Sequence, residues 1–263
     1  MAAISYDSVA ILRTFSDRVD LNFPLLADPD SAIIKAFDIV NTNVDSDSPY
    51  YGFPWAGYYL LDHDGVITAK FFNEANNDRT TAANILVRQF GADAGTRQGQ
   101  AKTKHLTAEW SVTNETVRPG QRGALILDVK LKPGMHLYAP GEHDYIAVEW
   151  PMEGSEGAEF MDPAYPEPET MYMQVIDKSV PVYAGDIQVV RDLHMLGSFE
   201  WPEELQGRDS LEIQGEFRYQ ACDDEACYPP VAIPLQWTLK LEPHDKVRVP
   251  DGIQRGADSS GGS

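Results

Sequence analysis

Phe217-Arg218-Tyr219-Gln220-Ala221-Cys222-Asp223-Asp224-Glu225-Ala226-Cys227-Tyr228-Pro229-Pro230 holds both cysteines of a 263-residue chain. The residues leading to Cys222, and those from Cys227 to Trp237, are strand-compatible. Asp223-Asp224-Glu225-Ala226 therefore reads as a four-residue hairpin loop with the cysteines as its closing pair. Directly opposed residues of an antiparallel pair have Cβ atoms about 4.5–5.5 Å apart, close to the span of a disulfide. A bridge across so short a loop contributes only about 2 kcal/mol by the chain-entropy argument. Small secreted domains with thin cores need such staples; a chain of this length does not. Reversible redox chemistry is the better reason for the pair, with a static bridge and metal binding as alternatives. Two ligands alone do not make a zinc site, and the histidines are scattered, His136 and His143 being the only near neighbours.

The loop is acidic. Asp223, Asp224 and Glu225 beside the sulfurs disfavour thiolate and are expected to raise the thiol pKa values, unless a cation such as Arg218 offsets them. The pair is then a poor attacker, and a partner's low-pKa thiolate does the attacking.

Outward from this stretch, Leu106 to Val112, Ala124 to Leu131, Ile187 to Val190, Leu211 to Tyr219 and Ile233 to Leu241 alternate at strand period. Turns such as Arg118-Pro119-Gly120 and Lys132-Pro133-Gly134 separate them. Strands at this spacing without helices between them predict an antiparallel β-sandwich. Between Gly91 and Lys104 the chain is polar and glycine-rich, which reads as a linker.

The first third has a different rhythm. Ala2 to Ser5 reads as a short strand. Val9, Leu12, Phe15 and Val19 then recur at helical spacing behind a cap at Asp7 or Ser8. Asp28 and Pro29 open a second helix with Ile33, Ile34 and Phe37 on its apolar face. Ala56 to Leu61 reads as a strand, Asp62-His63-Asp64-Gly65 as a hairpin turn into Val66 to Phe72, and Arg79 to Phe90 as a last helix.

The succession Ile4-Ser5-Tyr6-Asp7-Ser8, helix, Phe23-Pro24-Leu25-Leu26-Ala27-Asp28-Pro29-Asp30, helix, Tyr59-Leu60-Leu61-Asp62-His63-Asp64-Gly65-Val66-Ile67 resembles the second part of a peroxiredoxin of the alkyl hydroperoxide reductase and thiol-specific antioxidant family. That resemblance, over residues 1–90, implies an incomplete α/β thioredoxin-like domain. The family's peroxidatic cysteine sits in a Thr-x-x-Cys segment upstream of the matched part, and this chain has no cysteine before Cys222. The proline that usually precedes the Leu60-Leu61-Asp62 strand is also replaced, with Trp55, Ala56 and Gly57 in its neighbourhood. Peroxidase activity is not expected.

Phe217 to Pro230, with Lys132-Pro133-Gly134-Met135-His136-Leu137-Tyr138 upstream and Pro181-Val182-Tyr183-Ala184-Gly185 between, resembles the N-terminal periplasmic domain of the thiol:disulfide interchange protein DsbD. It covers residues 104–243 and implies an all-β immunoglobulin-like domain. It also implies that Cys222 and Cys227 are a redox pair passing electrons to a thioredoxin-like partner, with no cofactor beyond the pair. Val182, Tyr183, Ala184 and Gly185 would form a cap shielding the sulfurs, and Tyr228 gains weight from the motif. Tyr138, Tyr183, Tyr219 and Tyr228 are otherwise core residues by default. The family cap carries acidic and phenylalanine residues before its tyrosine, where this chain has Lys178-Ser179-Val180-Pro181-Val182. Nothing here resembles the membrane-embedded and C-terminal thioredoxin domains of full-length DsbD.

The expected architecture is thus residues 1–90, a linker at 91–103, residues 104–243, and a polar tail at 244–263 expected to be disordered. A formal charge of −20 argues against nucleic acid and anionic membrane surfaces as partners. No run of about 18 apolar residues is present to insert into a membrane. Met1 leads into Ala-Ala-Ile-Ser without a basic or long apolar leader, so the chain reads as cytosolic, as a mature form or as one lacking its true start. Disulfide exchange fits the bacterial periplasm.

Overall fold

The computed structural model describes residues 1–48, 51–72, 80–92, 95–173 and 177–254. The chain divides into two compact units, one of Met1–Arg79 with Lys246–Ser263, the other of Thr80–Asp245. The described residues are mostly β-sheet, with three α-helices among them.

In the first unit, β1 (Ala3–Ser5) and β2 (Leu25–Ala27) pair in parallel around α1 (Val9–Val19). Ser8 caps α1, accepting from the Ile11 amide, so the nearer of the two expected caps is the one used. The helix α2 (Ala32–Ala36) is held by Asp28, whose carboxylate accepts from the Ile33 and Ile34 amides at 3.2 and 2.9 Å. The strands β3 (Gly57–Leu61) and β4 (Ile67–Phe72) form the expected hairpin. Its turn is set by Asp62, which accepts from the Asp64 and Val66 amides, and by Gly65 at φ +82°. Sheets of two strands cover little: of the predicted apolar faces Leu12 and Ile34 are buried, whereas Val9, Phe15, Val19, Ile33 and Phe37 are exposed.

The second unit begins with α3 (Ala82–Phe90), followed by β5 (Thr96–Lys102), β6 (Leu106–Val112), β7 (Thr116–Val117), β8 (Arg122–Leu131) and β9 (His136–Tyr138). Next come β10 (Ala158–Phe160), β11 (Glu169–Met173), β12 (Lys178–Tyr183) and β13 (Ile187–Met195). Then follow β14 (Ser210–Tyr219), β15 (Ala221–Cys222) and β16 (Val231–Leu241). They form a five-stranded sheet β10-β13-β8-β6-β5, a four-stranded sheet β11-β12-β9-β15 and a three-stranded sheet β14-β16-β7.

One core joins them. Strict alternation on β6, β14 and β16 buries one face, including Leu106, Ile213, Phe217, Ile233 and Leu239. Trp150 and Trp237 stack within it with ring centroids 5.9 Å apart, and Trp237 donates to the Ser111 carbonyl at 3.1 Å. By contrast β8 and β13 are buried on both faces, because Val87 and Ala83 of α3 cover Ala124, Ile126 and Val190 on the side away from that core.

Two placements differ from the sequence reading. The stretch read as a linker carries β5, an edge strand paired with β6. Its outward residues are polar because they face water, and Gly99 is there because a Cβ would meet the Trp110 ring at 2.2 Å. The last helix, grouped with residues 1–90 by its position, docks on β8 and β13. Of the tail at 244–263 read as disordered, the stretch to residue 254 is described and holds a 3-10 turn at Asp251–Ile253, while residues 255–263 lie outside the described residues.

What fixes α3 is a buried polar cluster. Asp192 of β13 accepts from the Thr81 hydroxyl at 2.7 Å, the Thr81 amide at 3.3 Å and the Asn84 side chain at 3.0 Å. Thr81 in turn caps the helix, accepting from the Asn84 amide. Burial pushes the Asp192 carboxyl up, and these donors pull it back. Asp192→Ala strands buried donors, each costing about 1–3 kcal/mol. The expected result is a lower urea midpoint with an unchanged m-value, and no change in midpoint would show that α3 is held by its apolar face alone.

Candidate functional site

The cysteine stretch departs from a simple hairpin at Tyr219. Up to the Tyr219–Val231 pair, β14 and β16 run in register. Beyond it the chain leaves β16, and β15 pairs with β9 instead, Ala221 opposite Leu137 and Cys222 opposite His136. Pro229 and Pro230 precede β16, where they withhold donors from the ladder. The turn then closes as the sequence suggests. Cys222 and Cys227 are bridge partners, Asp223 donates its amide to the Ala226 carbonyl at 2.9 Å, and the Tyr228 amide reaches Ala221 at 2.9 Å.

The two cysteines form a disulfide, with Cα atoms 4.0 Å apart. Their environments are unequal. Cys222 is 1% exposed and packs with Tyr138, Val180 and Val182, with Met171, Met173 and Tyr145 against that cluster. Cys227, at the end of the turn, is exposed.

Asp223 organises the turn. One carboxylate oxygen accepts from the Glu225 and Ala226 amides at 2.9 and 2.8 Å, and the other from the Tyr228 hydroxyl at 2.6 Å. The Tyr228 hydroxyl, the two amides and the nearby His136 hold the Asp223 carboxyl below the usual range, against a small opposing effect of desolvation. The same carboxylate pushes the Tyr228 phenol up. Asp224 and Glu225 are exposed, and Arg218 is bonded to Glu216 at 2.8 Å.

Beneath the turn lies a ring cluster on β9. Tyr138, 1% exposed, places its hydroxyl 3.7 Å from Cys227 Sγ. It stacks on Tyr145 at 4.1 Å and meets His136 edge-on at 5.6 Å. Tyr145 is itself positioned by His143, whose Nδ1 accepts from the Tyr145 amide, so that Nε2 donates to the Ala139 carbonyl at 2.8 Å. Burial, then Tyr145, pushes the Tyr138 phenol up.

The predicted cap divides. Val182 packs with Cys222, whereas Tyr183 points into the main core and donates its hydroxyl to the Pro166 carbonyl at 3.1 Å. All four residues also line a cleft with Val87 and Arg88 of α3, whose lining includes neither cysteine. The side chains packed with Cys222 besides Val182 come from the β11–β12 hairpin, from β9 and from the loop after it: Met171, Met173, Val180, Tyr138 and Tyr145. Alternation within His136-Leu137-Tyr138 was the available signal, but a three-residue strand is too short to say which face meets the sulfurs.

The family model for the N-terminal part of the thiol:disulfide interchange protein DsbD matches residues 103–234, half of the chain. The chain belongs to the DsbD N-terminal family. The AhpC/TSA family model matches residues 1–70. Among solved structures, the N-terminal periplasmic domain of ScsB from Proteus mirabilis is similar at 15% identity and a TM-score of 0.36, over 55% of this chain and 51% of that one. This chain thus spans about half the length of that structure. The DsbD N-terminal domain of Neisseria meningitidis in its reduced form is similar at 14% identity and a TM-score of 0.31, over 44% of this chain and 81% of that one. No curated protein matches the chain. No helix among the described residues is long and apolar enough to cross a membrane. The DsbD-type match and the paired cysteines together point to thiol–disulfide exchange.

The depressed Asp223 carboxyl gives the turn a pH dependence with a definite sign. Its contribution is fully present above the unfolded value of about 3.9 and is lost as pH falls through the lower folded value. In an amide NMR titration, the Glu225 and Ala226 resonances should hold their native shifts down to about pH 4 and move together below it. Movement centred at or above the ordinary aspartate value would contradict the assigned hydrogen bonds.

Proposed function

We propose that this chain exchanges electrons with a thioredoxin-like partner through the Cys222–Cys227 disulfide, carried on an immunoglobulin-like β-sandwich spanning about residues 104–243. The attached N-terminal unit, about residues 1–90, is read as an incomplete thioredoxin-like, peroxiredoxin-related domain. The oxidising bacterial periplasm is the compartment that suits such a pair, and the ScsB structure is of a periplasmic domain.

The observation that carries this reading is the unequal exposure of the two cysteines. A structural bridge gains nothing from an open sulfur at a turn. An exchange site needs one cysteine within reach of an incoming thiolate, and a sheltered second cysteine keeps attack directed to the first. In this reading the partner's thiolate attacks Cys227 Sγ, the S–S bond breaks, and the electron pair leaves on Cys222. The partner's second thiol then attacks the mixed disulfide and releases Cys227. Two electrons and two protons pass from the partner's dithiol to the pair, and no cofactor is required.

Tyr138 is suited to serve the attacked sulfur, since a phenol pushed up by burial stays protonated at neutral pH and can donate to a developing Cys227 thiolate. The side chains around Cys222 act as the shield that the family resemblance assigns to Val182, Tyr183, Ala184 and Gly185, with Val182 common to both descriptions. The acidic turn of Asp223, Asp224 and Glu225 disfavours thiolate here and so favours the partner as attacker. Peroxide chemistry by residues 1–90 has no thiol to work with, because both cysteines lie at the turn.

The proposal is tested by trapping. A Cys222→Ser chain, with Cys227 free, should form a mixed disulfide with a thioredoxin-type protein activated at its nucleophilic cysteine. The Cys227→Ser chain should do so at least about tenfold more slowly, because its remaining thiol is buried. Equal trapping through either cysteine, or failure of a thioredoxin-type dithiol to reduce the native bridge, would leave the domain as a partner-binding module with a structural disulfide.

A further inference from the structure

We propose that His136 is the base that takes the Cys222 proton when Cys222 closes the disulfide, and returns it when Cys222 is the leaving group. The inference rests on the exchange reading above and assigns a proton route at that same pair.

His136 is 4% exposed, yet its Nε2 has no hydrogen-bond partner. A buried polar atom left alone is unusual enough to require a reason. The register supplies one. His136 and Cys222 are directly opposed on antiparallel β9 and β15, so their side chains share a face with Cβ atoms about 4.5–5.5 Å apart. While the sulfur is tied to Cys227 it carries no proton to offer. Reduction turns it into an S–H donor on the same face of the sheet as an imidazole nitrogen that lacks a partner.

The surroundings favour this use. Val180, Val182, Met171 and Met173 make the Cys222 pocket apolar, and such burial disfavours a thiolate unless a proton acceptor stands beside it. The titratable groups around His136 are Tyr138 on its own strand, Cys222 across from it, and Asp223 and Asp224 in the turn, while from β12 Val180 and Val182 pack on the Cys222 side. Burial holds the imidazole below its ordinary value, so it is neutral and able to accept at pH 7, while the two carboxylates favour the imidazolium once a proton arrives.

The step balances. With Cys227 joined to a partner in a mixed disulfide, the Cys222 thiol gives its proton to His136 Nε2. The sulfur attacks Cys227 Sγ, the intramolecular S–S bond forms, and the partner departs as thiolate with the electron pair. Microscopic reversibility makes the imidazolium the proton source when the partner reduces the bridge.

The test uses the reduced chain and 4,4′-dithiodipyridine, whose two chromophoric thiol products separate the stages. The first, bimolecular phase labels Cys227; the second, unimolecular phase is closure by Cys222. His136→Gln should leave the first phase unchanged, slow the second on the order of 100-fold, and move its pH midpoint upward. A packing defect would not move that midpoint. Because the probe is a small molecule, this readout stands even if no thioredoxin-type protein reacts with the chain. On the unmutated protein, the His136 imidazole should titrate at a lower pH in the reduced state than in the disulfide state, because a thiol donating to the neutral nitrogen favours the neutral form, and the reduced-state depression should be absent in Cys222→Ala. An unchanged second phase, or one imidazole titration common to both redox states, would overturn the assignment. Should His136→Gln fail to fold, the two-state titration of the native chain decides alone.

Discussion

The site depends on one pairing: β9, three residues long, held between β12 and β15. Tyr138 lies opposite Val182, and His136 lies opposite Cys222. Had β14 and β16 continued as a plain hairpin, both cysteines would stand at an exposed tip in similar surroundings. Because the chain leaves β16 after Tyr219 and joins β9, Cys222 is carried into an apolar pocket while the turn from Asp223 to Cys227 stays at the surface. The unequal exposure of the two cysteines is therefore a consequence of strand exchange between sheets.

The turn is braced from both sides. Asp223 takes two amides and the Tyr228 hydroxyl, and the Gln220 side chain donates to the Tyr228 carbonyl at 2.9 Å. The Tyr228 ring rests against His105 at 4.7 Å, and Tyr219 exchanges a hydrogen bond with Thr103 at 2.8 Å. These contacts tie the turn to the start of β6, so the position of Cys227 is set by the sheet and not by the disulfide alone. Bracing of this kind matters for exchange, since the turn must keep its shape when the bridge opens.

Much of this was legible in the sequence where strands are long and alternate. The runs ending in Val112, Tyr219 and Leu241 are strands, and the cysteines close their turn, because an apolar face every second residue is a strong signal. The helix α1 was equally plain, although its expected face is mostly exposed against a two-stranded sheet. Short or polar strands were not legible. Thr96 to Lys102 reads as a linker because an edge strand facing water needs no apolar alternation, and Gly99 marks close ring packing that composition cannot distinguish from flexibility. Of the expected cap, Val182 shares with Val180 the face of β12 that packs on Cys222, whereas Tyr183 lies on the other face, and nothing local in Lys178 to Tyr183 states that register. The acidic turn was read as an electrostatic influence on sulfur, but Asp223 is first of all a turn-former whose carboxylate is already occupied.

The central claim is that the Cys222–Cys227 bridge is kept for exchange and not for stability. Its reduction potential, measured by equilibration with a dithiol buffer of known potential, tests that claim most directly. The account predicts a value above about −300 mV, in the range where thioredoxin-type dithiols exchange electrons with it. A value below about −300 mV would place the bridge with inert structural disulfides and contradict the account.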